Sequence, residues 1–170
     1  MNEAGAQTSR GRELIEVFDR QFARLHLRSS SLISGTPVEM LYRNARQSTA
    51  TPVLSVGENV LRSAAAVEQT FGGITANLWD DPFEWTLPEN LSTTERLIEY
   101  LEEVEATRKR AFVRFAQDTD LLKEVLVPGG NTRPLVDLLA ETLVKTADYQ
   151  GRAIATLALI RDDRDGTFGG

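Results

Sequence analysis

The residues of this chain best placed for chemistry are neutral. In the stretch LVKTADYQGRAI, residues 143–154, Thr146 and Gln150 stand one helical turn apart where a packed helix normally carries leucine. Ser63 interrupts a run of apolar positions between Val60 and Val67, and Thr107 does the same between Val104 and Ala111. On the last predicted helix Leu135, Leu139, Thr142, Thr146, Gln150, Ala153 and Leu157 lie on or near one line. If these segments pack together, their polar interruptions meet in one buried cluster. Hydroxyls and an amide can bind a small polar ligand by hydrogen bonds. They are poor ligands for zinc or nickel, which favour imidazole, thiolate and carboxylate. The plainer reading is that serine and threonine in helix interiors bond the carbonyl of the preceding turn and do nothing more. A second phase of the last helix, with Val136, Leu139, Leu143, Ala147, Ile154 and Ala158 inward, would put Thr146 at the flank.

The remaining chemistry is sparse. The chain has no cysteine and one histidine, His26, so disulfides, thiolate sites and a multi-histidine metal site are excluded. His26 is expected on the flank of the first helix without a partner. Ser63 has no evident base to make it a nucleophile. Glu68 and Asp148 are the carboxylates nearest the polar positions in sequence, and helical spacing turns both away from them. VPGGNT lacks the lysine and hydroxyl of a phosphate-binding loop and reads as a turn.

These residues must be positioned by helices. Apolar stripes at three- and four-residue steps predict helices over about 10–33, 53–78, 92–116 and 133–161, with flexible tails at 1–9 and 162–170. The first stripe is Leu14, Val17, Phe18, Phe22, Leu25, Ser29 and Leu32. The second is Val56, Val60, Ser63/Ala64, Val67, Phe71, Ile74 and Leu78, with Gly72 and Gly73 marking close approach or a kink. Ser92-Thr93-Thr94-Glu95 reads as a capping box. PVEMLYR is expected to form a turn or two of helix, and Trp79, Phe83 and Trp85 to cover one end of the core. No strand-like alternation persists. The expected fold is all-α: one domain, a four-helix bundle with long connections that allow a crossover.

The net charge is −6, so the basic footprint of a nucleic-acid binder is missing. The arginines of TRKRAFVR follow Glu102, Glu103 and Glu105 and read as a solvated helix face. No stretch is apolar enough to cross a membrane or to serve as a signal peptide, so a cytoplasmic protein is expected.

Across about residues 10–161 the chain resembles the DinB/YfiT-like superfamily of bacterial four-helix-bundle proteins. VLRSAAAVEQTFGGI is similar to its second-helix pattern, STTERLIEYLEEVEATRKRAF to its third helix, and DLLKEVLVPGGNTRPLVDLLAETLVKTADYQGRAIATLALI to its ending. The resemblance implies a homodimer. It also implies a divalent metal, commonly nickel or zinc, held by one histidine of the second helix and two of the fourth. In this chain those positions are Ser63, Thr146 and Gln150, so every ligand is replaced. Gly151-Arg152-Ala153 matches the following family motif only loosely. The expectation is a metal-free, cofactor-free protein, non-catalytic, with a small-molecule-binding or stress-related role. Thr107, Thr142, Tyr149 and Arg152 are expected to line its pocket. A second reading is a thiol-dependent transferase or isomerase, of the mycothiol or bacillithiol type, with a substituted site. It would require an open pocket with Tyr149 or Arg152 reaching in. A third is a binding module that acts through the aromatic loop from Trp79 to Trp85.

Overall fold

The computed structural model describes residues 11–44, 53–82 and 88–165. Among them the chain is mostly helical. The order is α1 (Glu13–Ser34), α2 (Val38–Leu41), α3 (Val56–Ala76), α4 (Thr94–Phe112), a 3₁₀ turn (Asp118–Leu122), β1 (Glu124–Leu126), β2 (Thr132–Pro134) and α5 (Leu135–Asp165).

The four long helices share one core. The most extensive pairing is α3 with α5, and α4 packs on both α1 and α3. The consecutive helices α1 and α3 touch little. α3 therefore does not stand beside α1 as a closely packed neighbour. α1 and α3 supply Phe22 and Phe71, whose rings meet edge-on at 5.3 Å, and α4 closes the group with Phe112.

Apolar periodicity locates the buried faces, with two adjustments. On α1 the stripe is rotated: Ile15 and Ile33 are fully buried while Leu14 and Val17 are exposed. On α5 the first of the two phases is the buried one, since Leu135, Leu139, Thr142, Thr146, Gln150, Ala153 and Leu157 all face inward. Ala147, Ile154 and Ala158, of the alternative phase, face outward.

Helix ends differ more from expectation. Ser92 is not the cap of α4. Thr93 is, its hydroxyl accepting from the backbone N–H of Arg96. Both halves of a capping box form instead at Ser55 and Glu58, opening α3. Glycines 72 and 73 sit at the end of α3, where their carbonyls accept from Leu78 and Asn77 as Asn77 turns left-handed. Leu78 is exposed and outside the helix. A Cβ on Gly73 would lie 2.3–2.5 Å from the Trp79 ring, which is the close approach this glycine permits. Gly73→Ala is expected to cost about 1 kcal/mol net, overpacking of about 1–3 kcal/mol being offset by about 1 kcal/mol of helix propensity. Urea unfolding read through Trp79 emission, in a Trp85→Phe background, tests this; an unchanged midpoint with an unshifted emission would remove the contact. Phe83 and Trp85 lie outside the described residues.

A hairpin was not expected. Glu124–Leu126 pairs antiparallel with Thr132–Pro134 around the VPGGN turn, three residues a side, too short to show alternation. The helix that follows runs to Asp165, past the predicted start of the tail.

Candidate functional site

The three polar positions do meet. Ser63 of α3 donates from Oγ to the carbonyl of Thr146 on α5 at 3.2 Å. Gln150, one turn on, donates both amide hydrogens to α1: Nε2 lies 2.7 Å from the Leu25 carbonyl and 2.8 Å from Ser29 Oγ. The carbonyl can only accept, so it fixes which way the amide points. Ser63, Thr146 and Gln150 are each at most 2 % exposed.

They border a cavity of about 30 Å³, room for one or two waters. All four long helices contribute walls, including Phe22, Val67 and Leu101. Among the described residues two wall groups lack a hydrogen-bond partner, Thr146 Oγ1 and Gln150 Oε1. An unmet buried acceptor is costly, of the order of 1–3 kcal/mol.

The opposite wall is charged, against expectation. Arg108 and Glu105, assigned from sequence to a solvated face, are 1 % and 4 % exposed and line the cavity. The guanidinium grips Glu105 with Nε and Nη2, both at 2.7 Å, and donates from Nη1 to Asp19 of α1. It also stacks 5.2 Å from the centroid of Phe112. Burial pushes the Glu105 carboxyl up, but the hydrogen bonds and charge of Arg108 outweigh it and hold the group below its ordinary value. Burial likewise opposes the charge on Arg108, and Glu105 with Asp19 more than restores it.

His26 corrects a further expectation. It has a partner, Glu102 of α4 at 3.2 Å from Nε2, and its ring borders the cavity. Position 105 was legible as a turn after Leu101, but carboxylates and arginines in a mixed run read as surface unless the partner on another helix is known.

The other expected lining residues stand elsewhere. Thr107 is on the outer side of α4 and donates to the carbonyl of Glu103. Thr142 is buried at another level; it donates to the Leu138 carbonyl and receives Thr70. Arg152 is exposed, paired with Asp148 at 2.6 Å and laid over the half-buried Tyr149. None of these four borders the cavity. Glu68 is taken by the Tyr100 hydroxyl at 2.6 Å, where burial first and Glu68 second push the phenol up.

A transition metal does not suit this donor set. Ser63 Oγ is already engaged, and Thr146 and Gln150 offer a hydroxyl and an amide. Among the described residues no group of three His, Asp or Glu side chains could hold a metal ion. Nor is any helix of the described residues long and apolar enough to cross a membrane. In comparisons with protein families, curated proteins and solved structures, nothing matches this chain.

Proposed function

We propose that this chain is a DinB/YfiT-like four-helix bundle that has replaced the metal centre of that superfamily with a small metal-free cavity, and that it binds rather than transforms what enters. One observation carries the reading. Ser63, Thr146 and Gln150, the positions where the resemblance puts histidines, come together between α3 and α5, and two of their buried oxygens are without a hydrogen-bond partner among the described residues. The occupant is small, neutral or weakly charged, and rich in donors.

The binding reading is supported by the charged wall. Among the described residues Glu105 is the one carboxylate that borders the cavity, and Arg108 holds both its oxygens and lowers its proton affinity. A general base works best with a pKa near neutrality. The thiol-dependent alternative called for Tyr149 or Arg152 within the pocket, and neither borders it.

Elemental analysis of tag-free protein, before and after nickel, zinc or manganese, tests the reading. The expected result is no stoichiometric metal and no thermal stabilisation. One equivalent of metal with a rise in Tm would reverse it and return the enzyme reading to first place.

A further inference from the structure

A second cleft, of about 290 Å³, lies where Trp79 and the hairpin turn meet α3 and α5. No residue borders both this cleft and the cavity beneath Ser63 and Gln150. Sites for small molecules begin at roughly 300 Å³, so the cleft has room for a compact ring compound.

Part of its lining is apolar: Ala66 of α3, Leu138 of α5, and Val127 with Pro128 from the turn. Trp79 adds an indole that is held in place from several sides. Its ring stands against Gly73, where a Cβ would collide with it. Its backbone carbonyl accepts from Gln69 at 2.8 Å, and its indole N–H donates to Asn77 at 3.2 Å. With that one donor engaged, the half-buried ring has only π surface to offer a ligand, which suits a flat aromatic partner. Because the side chain is already fixed, little ordering is left for binding to impose.

The polar part of the lining is directional. Thr142 donates its one proton to the Leu138 carbonyl at 2.7 Å. Its 2.7 Å contact with Thr70 is therefore a bond that Thr70 donates. Both protons are engaged, so toward an occupant these two hydroxyls can only accept. Lys145 supplies charge. Glu141, one helical turn earlier, would ordinarily pair with it, but Arg133 of β2 takes Glu141 at 2.7 Å. Arg133 and Glu141 offset each other, and the exposed Lys145 ammonium is left with no ion-pair partner among the described residues. We infer that this cleft binds a small aromatic acid that carries a hydroxyl away from its carboxylate. The ring lies on Trp79, the carboxylate meets Lys145, and the hydroxyl donates to Thr70.

The probe is para-hydroxybenzoate, added to the full chain and followed by nuclear magnetic resonance of the indole N–H signals. The chain has two tryptophans, and Trp85→Phe identifies the signal of Trp79. That signal is expected to shift saturably, with a Kd below about 1 mM. Lys145→Gln should weaken the acid about tenfold, as loss of a charge-assisted bond does, and leave the uncharged methyl ester of the same compound unaffected. Benzoate, which lacks the hydroxyl, should bind more weakly than para-hydroxybenzoate, and Thr70→Val should remove that difference. Lys145 is exposed, and Thr70→Val keeps the side-chain shape and leaves Thr142 its bond to Leu138. Thermal unfolding of each variant checks that the fold is kept. Absence of a saturable shift would overturn the inference. So would an acid affinity indifferent to Lys145→Gln, an equal loss for acid and ester, or a preference for the hydroxyl that survives Thr70→Val.

Discussion

Arg108→Met is expected to destabilise the protein by about 3–5 kcal/mol, the range found when one partner of a buried ion pair is removed. Arg108 satisfies both oxygens of Glu105, and Glu105 is 4 % exposed. Without the guanidinium, the carboxylate keeps the influence of His26 and of Lys109, the latter a largely exposed ammonium 3.5 Å away. The variant also loses the cation placed over Phe112. The pH dependence should change sign. In the native protein the Glu105 carboxyl lies below its ordinary value, so its contribution is present above the unfolded pKa and lost as pH falls through the folded one. In the variant burial, the largest influence, is opposed only by His26 and Lys109, and it raises the folded pKa. Stability then declines as pH rises through the carboxylate range, and the gap between the two proteins closes in acid. The double variant Glu105→Leu/Arg108→Met should recover most of the loss, because well-packed apolar pairs often replace buried ion pairs at little cost. Urea unfolding at several pH values decides it. A single-variant loss below about 1 kcal/mol, or one independent of pH, would mean that the pair is solvated after all.

Phe71→Ala should be of similar size, about 3–5 kcal/mol, for a different reason. The ring is fully buried and touches Phe22 edge-on and Phe112 at a 45° tilt, with centroids 5.3 and 5.6 Å away. These rings tie α1, α3 and α4 together, and Phe22 also walls the cavity. Removing Phe71 loses the transfer free energy of the ring and leaves a void that three helices cannot close without moving Phe22. Phe71→Leu keeps most of the volume and should cost less than half as much. The measurement is the chemical unfolding midpoint at unchanged m-value. A loss under about 1.5 kcal/mol for the alanine variant would show that the helices collapse into the space.

The cavity was partly legible in the chain. Thr146 and Gln150 stand out because they break an apolar stripe on α5, and the break says only that something polar is buried there. It does not say what meets it. Ser63 is fixed by pairing with Thr146 across the α3–α5 contact. Ser29 and the Leu25 carbonyl come from a helix more than a hundred residues earlier. Thr107 interrupts its stripe just as Ser63 does, yet it faces out, since a threonine that bonds its own preceding turn tolerates either side. The Glu105–Arg108 pair was invisible for the converse reason. A charge reads as surface until a partner is in reach, and Asp19 lies 89 residues away.

What the sequence determined by itself is local. Apolar residues at helical spacing set the four long helices and most of their inward faces, and the composition excluded thiolate and multi-histidine chemistry. Backbone hydrogen bonds and i,i+3 or i,i+4 contacts act over a few residues, so they are written in short windows. The tertiary structure decided the rest. It chose the phase of α5, turned Ile15 rather than Leu14 inward, made a cavity wall from Glu105 and Arg108, and set Trp79 and the hairpin turn about a cleft with α3 and α5. Each of these depends on which residues from distant segments come within contact of one another, and a side chain's burial is a property of those neighbours rather than of its own place in the chain.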